Sequence, residues 1–284
     1  LVVLPSLWPN AYPALHGVQV DTDPENMLSE EEPVRVFNHE LKKALSLNDM
    51  VVVGIVNDTH PEGVFNVDSL ANIYALTEYA KTLHGAVLGE DDPNAGVVEI
   101  DVIAPSTVDN IEPGDIGVVR FEWLMPAPPA TEEEALAVRT KAQRLPFLNG
   151  TMVSEDGQAI AIYLPLTSKD LSYKVSAKLK EKISEFEGSD AFHITGLPVA
   201  EDTFGVEMFI QMAISAPMAM AVIFILLLIF FRKLVLIASP LMIALVSVIF
   251  TMGMLIVSGN TIHIMSSMIP IFIMPIAVLD SVHI

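Results

Sequence analysis

The pattern of apolar positions changes character at Glu207. Before it, apolar residues come in short runs and in helical spacings. After it they run almost unbroken: Met208 to Phe231 holds 24 residues with only Gln211 and Ser215 as polar side chains, roughly 36 Å of helix at 1.5 Å per residue and enough to cross a bilayer core. A second run, Leu234 to Val257, ends at the polar break Ser258 to Thr261. A third runs from Ile262 to Ile284, carrying Pro270 and Pro275, which membrane helices accept where neighbours satisfy the freed carbonyls. The predicted spans are therefore about 208–231, 234–257 and 262–284.

Upstream, the periodicities alternate. "MVVVGIV" (Met50 to Val56) has the continuous apolar character of a buried strand. Asp68 can cap a helix with Leu70, Ile73, Leu76, Ala80 and Leu83 on one face, and "VVEIDVI" (Val97 to Ile103) predicts a second strand. "TEEE" (Thr131 to Glu134) opens a capping box for a helix reaching about Arg144. "TMVSEDGQAIAIYLPL" predicts a hairpin turning at Asp156-Gly157. Leu171, Val175, Leu179 and Ile183 define a further helix that Gly188 stops, and "FHITG" is a last strand. This order suits an α+β domain of the ferredoxin-like, split βαβ kind with an inserted helix.

Arg232 and Lys233 fill a two-residue loop between the first two spans, and an excess of basic residues marks a cytoplasmic loop. The α+β domain then faces the other side. The apolar start "LVVLPSLWP", with Trp8 in the manner of an interfacial aromatic, reads as the last turns of a preceding span. It has neither the basic start nor the cleavage site of a signal peptide. The chain is thus expected to be an internal stretch of a longer protein: residues 1–20 the end of one span and a linker, 21–203 an extracytoplasmic domain, 204–284 a membrane region.

Charge sharpens this division. Residues 1–206 carry 33 acidic and 13 basic side chains and with them the whole formal charge of -20. Such a surface repels nucleic acid, which is excluded as a partner. With no cysteine there is no disulfide, thiolate nucleophile or cysteine metal site. The acidic triplets at 30–32, 90–92 and 132–134 lack the alternating ligands and glycine of a calcium loop. No phosphate-binding glycine loop, nucleophile elbow or zinc spacing is present, so the sequence calls for no cofactor and no metal, and the chain is not expected to be an enzyme. "NDTH" (Asn57 to His60) reads as turn chemistry. Asn57 and Asn149 head glycosylation sequons of little weight. Ten of the 14 methionines lie at or beyond Met208, where lipid-facing or core packing is their ordinary role.

Two acidic residues remain in the apolar region, Glu207 and Asp280. An aspartate at mid-helix costs roughly 2.5 to 3.5 kcal/mol to insert, so such residues face bundle interiors and mark ion or proton paths. The plainer alternative is that Asp280 ends its helix and reaches water. His283, three residues on, shares its helix face and is a candidate proton partner, or ordinary hydrogen-bonded packing. Glu207 is a candidate coupling or gate residue, or an interface residue.

Three stretches carry a resemblance: "VDTDPENMLSEEEPV" (Val20 to Val34), "ITGLPVAEDTF" (Ile194 to Phe204) and "GNTIHIMSSMIPIFIMPIAVLDSVHI" (Gly259 to Ile284). The chain resembles one half of a resistance-nodulation-division (RND) transporter, in the exporter branch related to the mycobacterial large membrane proteins (MMPL). The resemblance implies a polytopic α-helical protein of the bacterial inner membrane with a periplasmic porter domain, driven by protons and exporting lipids or other hydrophobic molecules. It also implies that Asp280 is the proton carrier. The lipid bilayer, a hydrophobic substrate and protons are the expected partners, and a homo-oligomer stays open. Ile276 stands where Patched-like relatives often carry glycine. A lipid- or sterol-sensing receptor and a SecD/SecF-like export accessory are the alternatives.

Overall fold

The computed structural model describes residues 20–21, 23–113, 118–260 and 262–283. In chain order the elements are β1 (Val20–Asp21), α1 (Pro33–Ala44), β2 (Asp49–Val56), α2 (Val67–Lys81), β3 (Asp109–Pro113), β4 (Val119–Trp123), α3 (Glu132–Arg144), β5 (Ala159–Leu166), α4 (Ser172–Ile183) and β6 (Ala191–Thr195). Three helices follow, α5 (Leu197–Phe231), α6 (Leu234–Val257) and α7 (Ile269–His283), with β7 (Ile262–His263) between the last two. They divide into two compact units, one of Glu40–Ala200 and one of the residues up to His39 together with those from Glu201.

The Glu40–Ala200 unit is built on β2. Val51, Val53 and Ile55 are wholly buried, and the strand pairs antiparallel with β5 on one edge (Val53 opposite Ile162) and β6 on the other (Val53 opposite Ile194). Helix α2 packs Leu70, Ile73, Leu76 and Ala80 against this sheet, and α4 packs Val175 and Leu179. Two residues before the expected Asp68, Asn66 is the cap of α2: its side chain accepts from the Ser69 N–H.

Val97–Ile103 is not a regular strand. It meets β5 through isolated antiparallel bridges, Val97 with Leu166 and Ile103 with Tyr163, around a 3₁₀ turn at Glu99–Asp101. Pro165 lies on that edge of β5 and accepts from the Val98 N–H at 2.9 Å, but proline has no N–H to return. The hairpin expected at Asp156-Gly157 is present but short: the Gly157 N–H donates to the Ser154 carbonyl at 3.0 Å to close the turn, the Ser154 N–H to the Ala159 carbonyl at 3.0 Å and the Ala161 N–H to the Met152 carbonyl at 2.8 Å, around the single bridge of Val153 with Ile160. An unanticipated antiparallel ribbon, β3 with β4, sets Ile111 opposite Phe121.

The expected spans 208–231 and 234–257 lie in α5 and α6, both long and apolar enough to cross a membrane, with mean hydropathies of 2.7 and 2.5. Helix α5 starts earlier, at Leu197, with Pro198 in its first turn, where the missing N–H costs nothing. The run expected to be helical from Ile262 opens instead with β7, which pairs parallel with β1, and a 3₁₀ turn at Ile264–Met268. Helix α7 begins at Ile269, one residue before Pro270, and is 15 residues long.

Candidate functional site

Helices α5, α6 and α7 meet in a small apolar core. Ile237 and Ala244 of α6, Met274 and Val278 of α7 and Leu227 of α5 are buried in it. Ala244 permits close helix approach, as small residues do where lipid removes the hydrophobic drive. The buried positions on α7 are four residues apart, so one stripe of that helix is used.

Asp280 lies off the stripe. It is two residues beyond Val278, about 200° around the helix, and exposed together with Phe272, Ile276 and Leu279. Among the described residues it has no hydrogen-bond or ion-pair partner. Below it the Ser281 hydroxyl donates back to the Val278 carbonyl at 2.8 Å. Glu207 is exposed on α5, and no described hydrogen bond or ion pair joins it to Asp280. His283 closes α7, and its side chain lies outside the described residues. What the arrangement offers chemically is one carboxyl group on the apolar outer face of a helix.

The Glu40–Ala200 unit holds two polar assemblies. In the first, Asn57, only 3% exposed, accepts at Oδ1 from the backbone N–H groups of Thr59 and His60. Its Nδ2 donates to Asp190 Oδ1 at 2.8 Å and Ser189 Oγ at 3.2 Å. Ser69 Oγ donates to the same Asp190 oxygen at 2.6 Å. The end of β2, the start of α2 and the segment before β6 are thereby tied together. "NDTH" is thus more than a turn, and the farthest partner of Asn57, Asp190, stands 133 residues away. Buried Asn57 is closed to glycan attachment in the folded chain.

In the second assembly, the β3–β4 ribbon turns its polar face to α3. Lys141 pairs with Glu122 at 2.7 Å, and Arg144 reaches both Glu112 at 2.8 Å and Asn110 at 3.0 Å. The hydrogen bond with Asn110, then that from Arg144, hold the Glu112 carboxyl below its ordinary range. Lys141 does the same for Glu122. The opposite ribbon face exposes Ile111, Val119, Phe121 and Trp123. Beside it lies an open cleft of about 910 Å³ lined by residues including Lys81, His84, Ile100 and Trp123. Among the described residues no group of three or more His, Asp or Glu is placed to hold a metal ion.

The family model described as "MMPL family" matches residues 109–279, from β3 to the residue before Asp280. No curated protein matches the chain.

Proposed function

This chain belongs to the MMPL family, and from that membership we propose that it is part of a proton-driven RND-type exporter of lipids or other hydrophobic molecules, with Asp280 as the proton carrier. Membership makes it a membrane protein of the RND transporters or the related lipid-sensing proteins. The observation that carries the finer reading is Asp280: a carboxyl among Phe272, Ile276 and Leu279, turned away from the packed stripe of α7 and without a described partner.

Ionised, such a group at membrane depth costs roughly 2.5 to 3.5 kcal/mol and favours whatever packing brings it a donor or cation. Protonated, it is a modest polar group and favours another. Binding and release of one proton therefore bias two helix arrangements, which is all that coupling requires. Glu207, on α5, is the coupling residue in this reading, and His283 the candidate proton partner.

We read the Glu40–Ala200 unit as the porter domain. The strand order β6-β2-β5, continued by the Val97–Ile103 segment against β5, with α2 and α4 as crossovers, supports the split βαβ, ferredoxin-like arrangement. The Arg232–Lys233 loop supports a periplasmic place for this unit on a bacterial inner membrane. The chain acts as a transporter component in this account and not as an enzyme.

The test is proton flux into proteoliposomes across an imposed gradient, for the parent protein and Asp280→Asn. Flux that vanishes in the variant supports the carrier role. Equal flux in both removes it and favours the lipid-sensing reading, which needs no titrating carboxyl.

A further inference from the structure

Helix α1 is amphipathic, and no residue on it is buried. Val34, Phe37 and Leu41 recur at spacings of three and four, and Val34 and Phe37 are 68% and 65% exposed. The 3₁₀ turn before it, Pro24–Met27, adds exposed Met27 and, just after it, Leu28. A soluble surface has no reason to gather such side chains in one patch.

What covers this face follows from where its N-terminal end is tied. Arg35 donates to the Leu28 carbonyl at 2.8 Å and to the Asn26 side chain, and Asn38 donates to Glu25 Oε1 at 3.2 Å. The first turns of α1 thus fold onto residues 25–28. Only a few residues earlier, Val20 and Asp21 pair with Ile262 and His263, in the short connection between α6 and α7. That connection is the end of the α6 span away from Arg232 and Lys233, so its level is a membrane surface. The exposed apolar stripe is therefore held within a short tether of the bilayer boundary.

We propose that α1 is an interfacial helix, lying on the bilayer at the α6–α7 connection with Val34, Phe37 and Leu41 in the acyl boundary. A helix with a large apolar moment and a polar opposite face takes this position. Residues 23–44 carry six acidic and three basic side chains, so the attraction is apolar burial and not charge, and anionic lipid is not required. This inference rests on the spans and not on the proton-carrier reading, so Asp280→Asn leaves it unchanged.

The absence of cysteine permits a clean test. The chain is reconstituted in phosphatidylcholine bilayers with one nitroxide at Phe37→Cys, at Val34→Cys, or at Lys43→Cys on the polar side. Collisions with oxygen, which concentrates in lipid, are compared with those of a water-soluble nickel chelate. The expected result is a severalfold higher oxygen-to-nickel ratio at 34 and 37 than at 43, insensitive to added salt. Nickel access at 34 and 37 equal to that at 43 would overturn the proposal by placing the helix in water. Poor access to both reagents at 34 and 37 would overturn it too, because a protein surface would then cover the face.

Discussion

Val278 and Asp280 stand on opposite sides of α7: the valine is buried against α5 and α6, and the carboxyl is exposed with no described partner. Packing and proton chemistry are thereby separated on one helix. Met274→Ala removes a buried side chain from the shared core and is expected to cost about 2 to 5 kcal/mol. Ile276→Ala, on the outer face, is expected to change stability by no more than about 0.5 kcal/mol, and Asp280→Asn, which removes a charge from an apolar face, is expected not to destabilise. Thermal unfolding in detergent checks this. A large loss in Asp280→Asn would mean that the carboxyl is structural, and the proton-flux comparison would have to be reinterpreted.

Asn57 is the buried tie between β2, α2 and the approach to β6. Asn57→Ala leaves the Thr59 and His60 backbone N–H groups without their acceptor and the Asp190 carboxylate with the Ser69 hydroxyl but not the amide, at about 1 to 3 kcal/mol. Asn57→Asp is expected to be worse at neutral pH, since it sets a second carboxylate where the amide now lies 2.8 Å from Asp190. Acidification should restore part of that loss. Urea midpoints at pH 7 and pH 5 for the two variants decide it: equal, pH-independent losses would show that the amide only fills space.

Much of this architecture was legible in the residues, and the failures have physical causes. The apolar stripe Leu70, Ile73, Leu76 and Ala80 and the run Met50 to Val56 gave α2 and β2 because burial and periodicity coincide there. Val97 to Ile103 has the composition of a strand, but Pro165 sits on the opposing strand and can return no N–H to it. The β3–β4 ribbon is not legible in the residues because its pattern is inverted, with polar residues inward on α3 and apolar ones outward. Asp280 was visible as a lone charge in an apolar run. Its position off the packed stripe needed the helix contacts.

Gly196, one residue before α5, has φ +124°, and a Cβ there would meet the Met50 carbonyl oxygen at 2.3 Å. The obstacle is backbone of the central strand and cannot swing aside. Gly196→Ala is therefore expected to destabilise by more than the roughly 0.4 to 1 kcal/mol that an unstrained Gly→Ala replacement gains. Gly253→Ala, within α6 with open space at its Cβ, should be neutral or slightly stabilising. Folded yield and unfolding midpoint of the two variants test the contrast. Equal tolerance would show that the start of α5 is free to move off β2.

The Glu112 and Glu122 pairs with Arg144 and Lys141 give the ribbon a definite response to acid. Both carboxyls lie below the ordinary glutamate value of 4.5 in the folded chain, so on acidification the unfolded form takes up their protons first. The stability they supply is complete above about pH 4.5 and is lost as pH falls through the lowered folded values. The other ribbon face is solvent-exposed, so the ribbon should leave α3 before the β5-β2-β6 sheet opens. Trp123 closes the ribbon opposite Asp109, and Trp8→Phe makes it the sole tryptophan of the chain. Its emission should shift in acid below pH 4.5 while far-ultraviolet dichroism still reports an intact fold. Glu112→Gln with Glu122→Gln should abolish that pH dependence and leave the ribbon loosely held at every pH. A transition that persists in the double variant would assign the acid response to other carboxyls.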